Sequence, residues 1–137
     1  MGQAKPFRAT ALVVEDDPMQ REMISLLLEE SDFDVIECES AEAASLVLQR
    51  QAGKIALVMT DVSLAGTMNG VTLAHVAKRY DPQLEVIVTS GSPVPQPLPD
   101  GVEFWSKPWA PLDVIRLAER KSAALQAEQR ERPHKHS

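Results

Sequence analysis

A chain of 137 residues, 44% hydrophobic and 25% charged, has the length and composition of one folded domain with room for a real core, and wholesale disorder is excluded. A formal net charge of −6 argues against the basic footprint of nucleic-acid binding, and the single cysteine, Cys38, rules out an internal disulfide or a multi-cysteine zinc site. No apolar run nears the roughly 20 residues of a membrane span and the start, MGQAKPFRAT, carries no signal core, so a cytoplasmic protein with no membrane partner is expected.

The regular pattern begins at Thr10–Val14 (TALVV), a short β-rich run that ends in Glu15, Asp16 and Asp17. Asp17-Pro18 reads as a helix N-cap followed by proline at the first helical position. Behind it Met19, Met23, Ile24, Leu27 and Leu28 recur at helical spacing to about Glu30, and both methionines fit a core stripe. Val35–Cys38 is a second strand. Ser40 caps a helix over AEAASLVLQRQ, which Gly53 can close. Ile55–Thr60 (IALVMT) is a continuous apolar run ending in Asp61, the pattern of a strand covered on both faces. A turn-rich SLAGTMNG leads into the helix VTLAHVAKRY, stopped by Asp81-Pro82. Leu84–Thr89 is a fourth strand, VEFWS a short fifth, and Pro111 opens a last helix to about Gln129.

Strict alternation of strand and helix implies a parallel sheet with right-handed crossovers and helices on both faces. In such sheets the ligand site lies beyond the carboxyl ends of the strands. The groups placed there are Glu15, Asp16 and Asp17, then Asp61, Thr89-Ser90 and Lys107. Carboxylates about 4 Å apart repel by roughly 4 kcal/mol per pair at an effective dielectric near 20. One lysine does not offset that, whereas a hard cation such as Mg²⁺, completed by a phosphorylated partner, does. A carboxylate beside such an ion can act as nucleophile and form an aspartyl-phosphate, with cation and lysine stabilising the phosphoryl in flight. Asp61, alone at the end of the central strand, is the candidate nucleophile.

LVVEDDP, MTDVSLAGTMNG, VIVTSG and FWSKPW, in that order and spacing, resemble the receiver domain of two-component response regulators. The resemblance spans roughly residues 8–125, leaving 126–137 as a polar tail. It implies a flavodoxin-like α/β fold, a five-stranded parallel sheet of order 2-1-3-4-5. It makes Asp61 the phosphoacceptor and Glu15 and Asp16 the acidic pair. Mg²⁺ is then held by Glu15, Asp16, Asp61 and the backbone carbonyl of Ser63. Thr89 becomes the switch hydroxyl, Lys107 the catalytic lysine, and Phe104 the switch aromatic, with a cis peptide at Lys107-Pro108. Asp17 reads first as a helix cap, with metal contact as the alternative. Phe104 could also be a plain strand aromatic, and His75 reads as a surface residue.

Two departures stand out. The loop after Asp61 lacks the usual proline and has one extra residue before Asn69-Gly70. Where a fourth helix belongs the chain has GSPVPQPLPDG, and prolines there exclude a regular helix at about 3 kcal/mol each. That helix is expected to be absent or reduced to a turn. The loop with Trp105 and Trp109 is expected to form a docking surface, unless both indoles simply cap the core.

The expected function is that of a stand-alone receiver. It takes a phosphoryl group from a phosphohistidine on a sensor histidine kinase or histidine phosphotransfer protein, loses it by slow hydrolysis, and is not a turnover enzyme. With no output domain after residue 125, it signals through protein contacts or serves as a phosphate shuttle or sink. A pseudo-receiver that never carries phosphate is the main rival. A Mg²⁺-dependent phosphohydrolase would need Asp-x-Asp where Glu15-Asp16-Asp17 stands.

Overall fold

Asp17 and Pro18 open the first helix as their chemistry requires: the Asp17 carboxylate accepts from the backbone N–H of Met19 at 2.9 Å, and proline takes the first position. The computed structural model describes residues 8–131. Its elements in chain order are β1 (Ala9–Val14), α1 (Pro18–Glu30), β2 (Phe33–Cys38), α2 (Ala41–Gln51), β3 (Ile55–Asp61), α3 (Gly70–Tyr80), β4 (Glu85–Ser90), β5 (Val102–Ser106) and α4 (Pro111–Glu131). A 3₁₀ turn at Ala52–Lys54 joins α2 to β3. Ser40 and Asn69 cap α2 and α3 through Ala43 N–H and Thr72 N–H.

The strands form one parallel sheet in the order β2-β1-β3-β4-β5, as the sequence resemblance implies. Alternation along each strand sorts side chains to opposite faces. Leu12, Val14, Val58, Val86 and Val88 meet α2 and α3 through Ala44, Leu48, Leu73 and Ala77. Ala11, Val13, Leu57, Met59 and Ile87 meet α1 and α4 through Ile24, Leu28, Val114 and Leu117. Each buried Leu or Ile contributes about 1.5–3 kcal/mol by leaving water, against about 1 kcal/mol for a helix cap. The two covered faces therefore hold the sheet, while the caps set where helices begin.

Three expectations are corrected or refined. Met19 and Met23 do not join the core: they are 81% and 38% exposed, and Leu26 is 51% exposed beside them. At about 100° per residue, Met19 lies roughly 140° around the helix from Ile24, one of the three residues α1 buries. Between Ser90 and Val102 there is no helix, as the prolines demand. The segment instead seats Val94 and Leu98 on the α2/α3 side, tied by Asn69 Nδ2 to Gln96 Oε1 (2.9 Å) and by a hydrogen bond between His75 Nε2 and the Pro97 carbonyl (3.1 Å). Trp105 and Trp109, 6.3 Å apart between ring centres, pack on the α1/α4 side. Proline segment and indoles thus occupy opposite faces of the sheet and do not make one docking surface, because successive β5 residues point opposite ways.

Helix α4 runs through Glu131, two residues past the expected end near Gln129, and 132–137 lie outside the described residues. Among the described residues no helix is long and apolar enough to cross a membrane.

Candidate functional site

Register brings the strand tips level. Val14 stands opposite Thr60, Asp61 opposite Thr89, and Ser90 opposite Ser106. Beyond them the chain turns sharply, and the turns fix the polar groups. Val62 N–H donates to the Thr89 carbonyl at 2.9 Å and Lys107 N–H to the Ser90 carbonyl at 2.8 Å. The next peptide, Lys107-Pro108, is cis.

At this rim Lys107 Nζ lies 2.7 Å from Asp61 Oδ2 and 3.9 Å from Glu15 Oε1. Gln20 Oε1 accepts from the same ammonium at 3.4 Å. The other Asp61 oxygen, Oδ1, accepts from Ser63 N–H at 3.4 Å. Glu15, Asp61 and Thr89 are buried, with 3%, 8% and 4% of their surface exposed. Glu15 is held by Asp17 N–H on Oε2 (3.1 Å), while Arg21 Nη1 donates to its carbonyl (2.8 Å).

Burial, reinforced by the Asp61 charge and by a hydrogen bond with Asp16, pushes the Glu15 carboxyl up to about 7 against the opposing Asp17 amide and Lys107. A carboxyl whose folded value lies above its unfolded value stabilises the fold when protonated, and that stability is lost as pH rises through the folded value. From the ordinary 4.5 to about 7 the loss amounts to roughly 3 kcal/mol. In metal-free protein we expect Glu15→Gln to raise stability at pH 8 by about 2–3 kcal/mol and to leave it nearly unchanged at pH 4. Urea unfolding at both values checks this, and an equal change at both would contradict it.

The remaining sequence-predicted residues fall as follows. Asp16 is exposed and reaches the cluster through Glu15. Both Asp17 oxygens serve α1: Oδ1 accepts from Met19 and Gln20 N–H, and Oδ2 from Gln20 Nε2. The cap reading therefore accounts for Asp17. Phe104 pairs with Val88, is 38% exposed, and sits on the sheet face away from Trp105. Two residues were missed. Gln20 shares the Lys107 ammonium, which no motif announces. At Gly70 an added Cβ would lie 2.0 Å from the Asp61 carbonyl oxygen; the sequence showed it only as a turn glycine beside Asn69.

Among the described residues no three His, Cys, Asp or Glu side chains are gathered as they stand to hold a metal ion. The donor chemistry nonetheless suits a hard divalent cation. All the groups are oxygens, and two buried acids, Glu15 and Asp61, face the single ammonium of Lys107. A shallow groove of about 390 Å³, lined by Asp16, Ser63, Leu64, Met68 and Pro95 among others, adjoins the cluster. A larger cavity of about 550 Å³ lies around Arg8, Lys54, Ile55 and Leu125, toward the amino ends of β1 and β3. Strand direction, not cavity size, marks the site.

Fold and site together define a doubly wound α/β domain with a lysine-bridged acidic centre at its strand tips. The chain belongs to the response regulator receiver domain family, whose model matches residues 11–104. That match takes in Glu15, Asp16, Asp61, Ser63, Thr89 and Phe104 and stops three residues short of Lys107. Among solved structures, a response regulator receiver protein from Sinorhizobium medicae WSM419 is 23% identical, with a TM-score of 0.75 over 85% of this chain and 96% of that one. The receiver domain of the hybrid histidine kinase CckA is 27% identical, with a TM-score of 0.71 over 82% and 98%. A receiver domain from Clostridium thermocellum is 22% identical, with a TM-score of 0.69 over 85% and 98%. Receiver domains are phosphoacceptors of two-component signalling rather than turnover enzymes. They typically bind Mg²⁺ at the phosphorylation site and interact with histidine kinases or phosphotransfer proteins.

Proposed function

We propose that Asp61 accepts a phosphoryl group from a phosphohistidine on a sensor kinase or histidine phosphotransfer protein. The observation that carries this reading is the 2.7 Å contact of Lys107 Nζ with the one acid at the tip of the central strand, beside a second buried carboxyl. In the reaction a carboxylate oxygen of Asp61 forms a bond to phosphorus as the bond from phosphorus to the imidazole nitrogen breaks. That nitrogen keeps the electron pair, and because the other ring nitrogen of the phosphohistidine carries a proton, the ring leaves as neutral imidazole. Lys107 stabilises charge on the transferring group, the Ser63 N–H orients the nucleophile, and the Thr89 hydroxyl takes a hydrogen bond to the bound phosphoryl. Glu15, Asp16, Asp61 and the Ser63 carbonyl would hold Mg²⁺, which supplies the positive charge that Lys107 alone does not. Thr89 and Phe104 would relay the phosphorylated state.

The apolar ridge of Met19, Met23 and Leu26 begins one turn from Asp17 and suits a helical partner carrying the donor histidine. We read residues 8–125 as the receiver unit, a cytoplasmic protein that signals by protein contact or acts as a phosphate shuttle or sink.

The test is intact mass after incubation with Mg²⁺ and phosphoramidate. Wild type should gain one phosphoryl group and Asp61→Asn none; no adduct, or equal adducts, would sink the reading. Leu26→Glu should take up phosphate from phosphoramidate normally but more slowly from a phosphohistidine protein. Equal slowing with both donors would remove the ridge from the account.

A further inference from the structure

The loop that follows Asp61 has lost its proline and gained a residue, yet its shape is held. Its base is closed by Gly70 N–H on the Val62 carbonyl at 2.9 Å. Its tip is held by α2: Ala65 forms a parallel bridge with Ser40, and one oxygen of Glu42 takes three hydrogen bonds. Glu42 Oε2 accepts from Thr67 N–H at 2.9 Å, Met68 N–H at 3.0 Å and Thr67 Oγ1 at 3.0 Å. The other oxygen, Oε1, is buried and has no hydrogen-bond partner. Gly66 covers it, at φ +95°, where an added Cβ would lie 2.7 Å from Oε1. A left-handed backbone and that clearance both require glycine. Glu42 sits in the first turn of α2, and its own amide with those of Met68 and Thr67 holds the carboxyl below the usual carboxylate range. It is therefore an anion across the neutral range, when hydrogen bonds to it are strongest.

We propose that Glu42 is a positioning residue for phosphoryl acceptance, a strut from α2 that does the work of the missing proline. By fixing residues 64–68 it holds Ser63, at the root of the same loop, against Asp61. The inference rests on the phosphoacceptor reading for its effect on reaction, but the strut itself is measurable without any reaction.

Two readouts separate these levels. In metal-free protein, amide exchange at Thr67 and Met68 should speed up tenfold to a hundredfold in Glu42→Ala. Glu42→Gln, which keeps an acceptor at the same reach, should recover part of the protection. Gly66→Ala, which displaces the carboxylate without removing it, should resemble Glu42→Ala. In phosphorylation by phosphoramidate, the Mg²⁺ concentration for half-maximal rate should rise about tenfold in Glu42→Ala and Gly66→Ala, with the rate at saturating Mg²⁺ changed less than twofold. Unchanged exchange in both variants would overturn the strut. Faster exchange with an unchanged Mg²⁺ requirement would overturn its role in positioning. If wild type takes up no phosphoryl group, the phosphoacceptor reading falls, and the exchange data alone decide the strut.

Discussion

Lys107→Met is expected to cut the rate of phosphoryl uptake by about 10²–10³, the usual cost of removing one preorganised charge from a transition state. It should also lower the stability of the metal-free protein at pH 8 by roughly 3 kcal/mol, because it leaves an acidic pair buried without its counter-charge. Lys107 Nζ meets Asp61 at 2.7 Å and Glu15 at 3.9 Å, and the two acid side chains are only 10% and 4% exposed, so solvent cannot substitute for the ammonium. The sign with pH follows from Glu15, whose carboxyl stands near 7 even with Lys107 in place. Below that value Glu15 is largely protonated, and one charge of the pair is gone. The part of the penalty that comes from Glu15 should therefore fade toward pH 5, leaving the part from the closer Asp61 contact, and the whole should be full above pH 8. Denaturant unfolding of wild type and variant at the two values measures it, and a pH-independent difference would mean that Lys107 acts on Asp61 without a share from Glu15.

Gly70→Ala should cost about 2–4 kcal/mol of stability and slow phosphoryl uptake at least tenfold. The added Cβ would stand 2.0 Å from the Asp61 carbonyl oxygen, 2.8 Å from its carbon and 3.0 Å from Val62 Cα. All three are backbone atoms of a buried central strand, so no rotamer relieves the clash. Either α3 backs away and loses the Gly70–Val62 hydrogen bond, or the Asp61 peptide moves. Gly53→Ala is the control: nothing lies within 4 Å of its Cβ position, and the change should be neutral or gain a few tenths of a kcal/mol. If urea midpoints place Gly70→Ala within 1 kcal/mol of wild type, helix and strand are looser there than the contact implies.

Most of the fold was legible because its signals are local. A capping Asp before a proline, an apolar run closing on Asp61, and prolines where a helix would need amides each act within a few residues. Strand order came from the family resemblance alone, and the parallel direction of the strands from the alternation of elements. What failed was rotation: Met19 and Met23 share helical spacing with Ile24, but which stripe turns inward depends on the helix's seat against the sheet. The docking surface failed for a related reason, since Trp105 and the proline segment adjoin in sequence while the pleat sends them apart. At the site the acids and Lys107 were readable from strand ends. Gln20, Gly70 and Glu42 were not, because each acts through a neighbour brought close only by folding.

One rung of the sheet runs Asp61, Thr89, Trp105 across three adjacent strands. At about 4.8 Å per strand the backbone of Trp105 lies roughly 10 Å from that of Asp61. Its ring nitrogen donates to Glu103 and its ring neighbours Trp109, so its emission should respond when charge changes at Asp61. If Asp61 takes up phosphate as proposed, Trp105 would serve as a built-in optical gauge, and the change should be readable in real time without a dye or an engineered label.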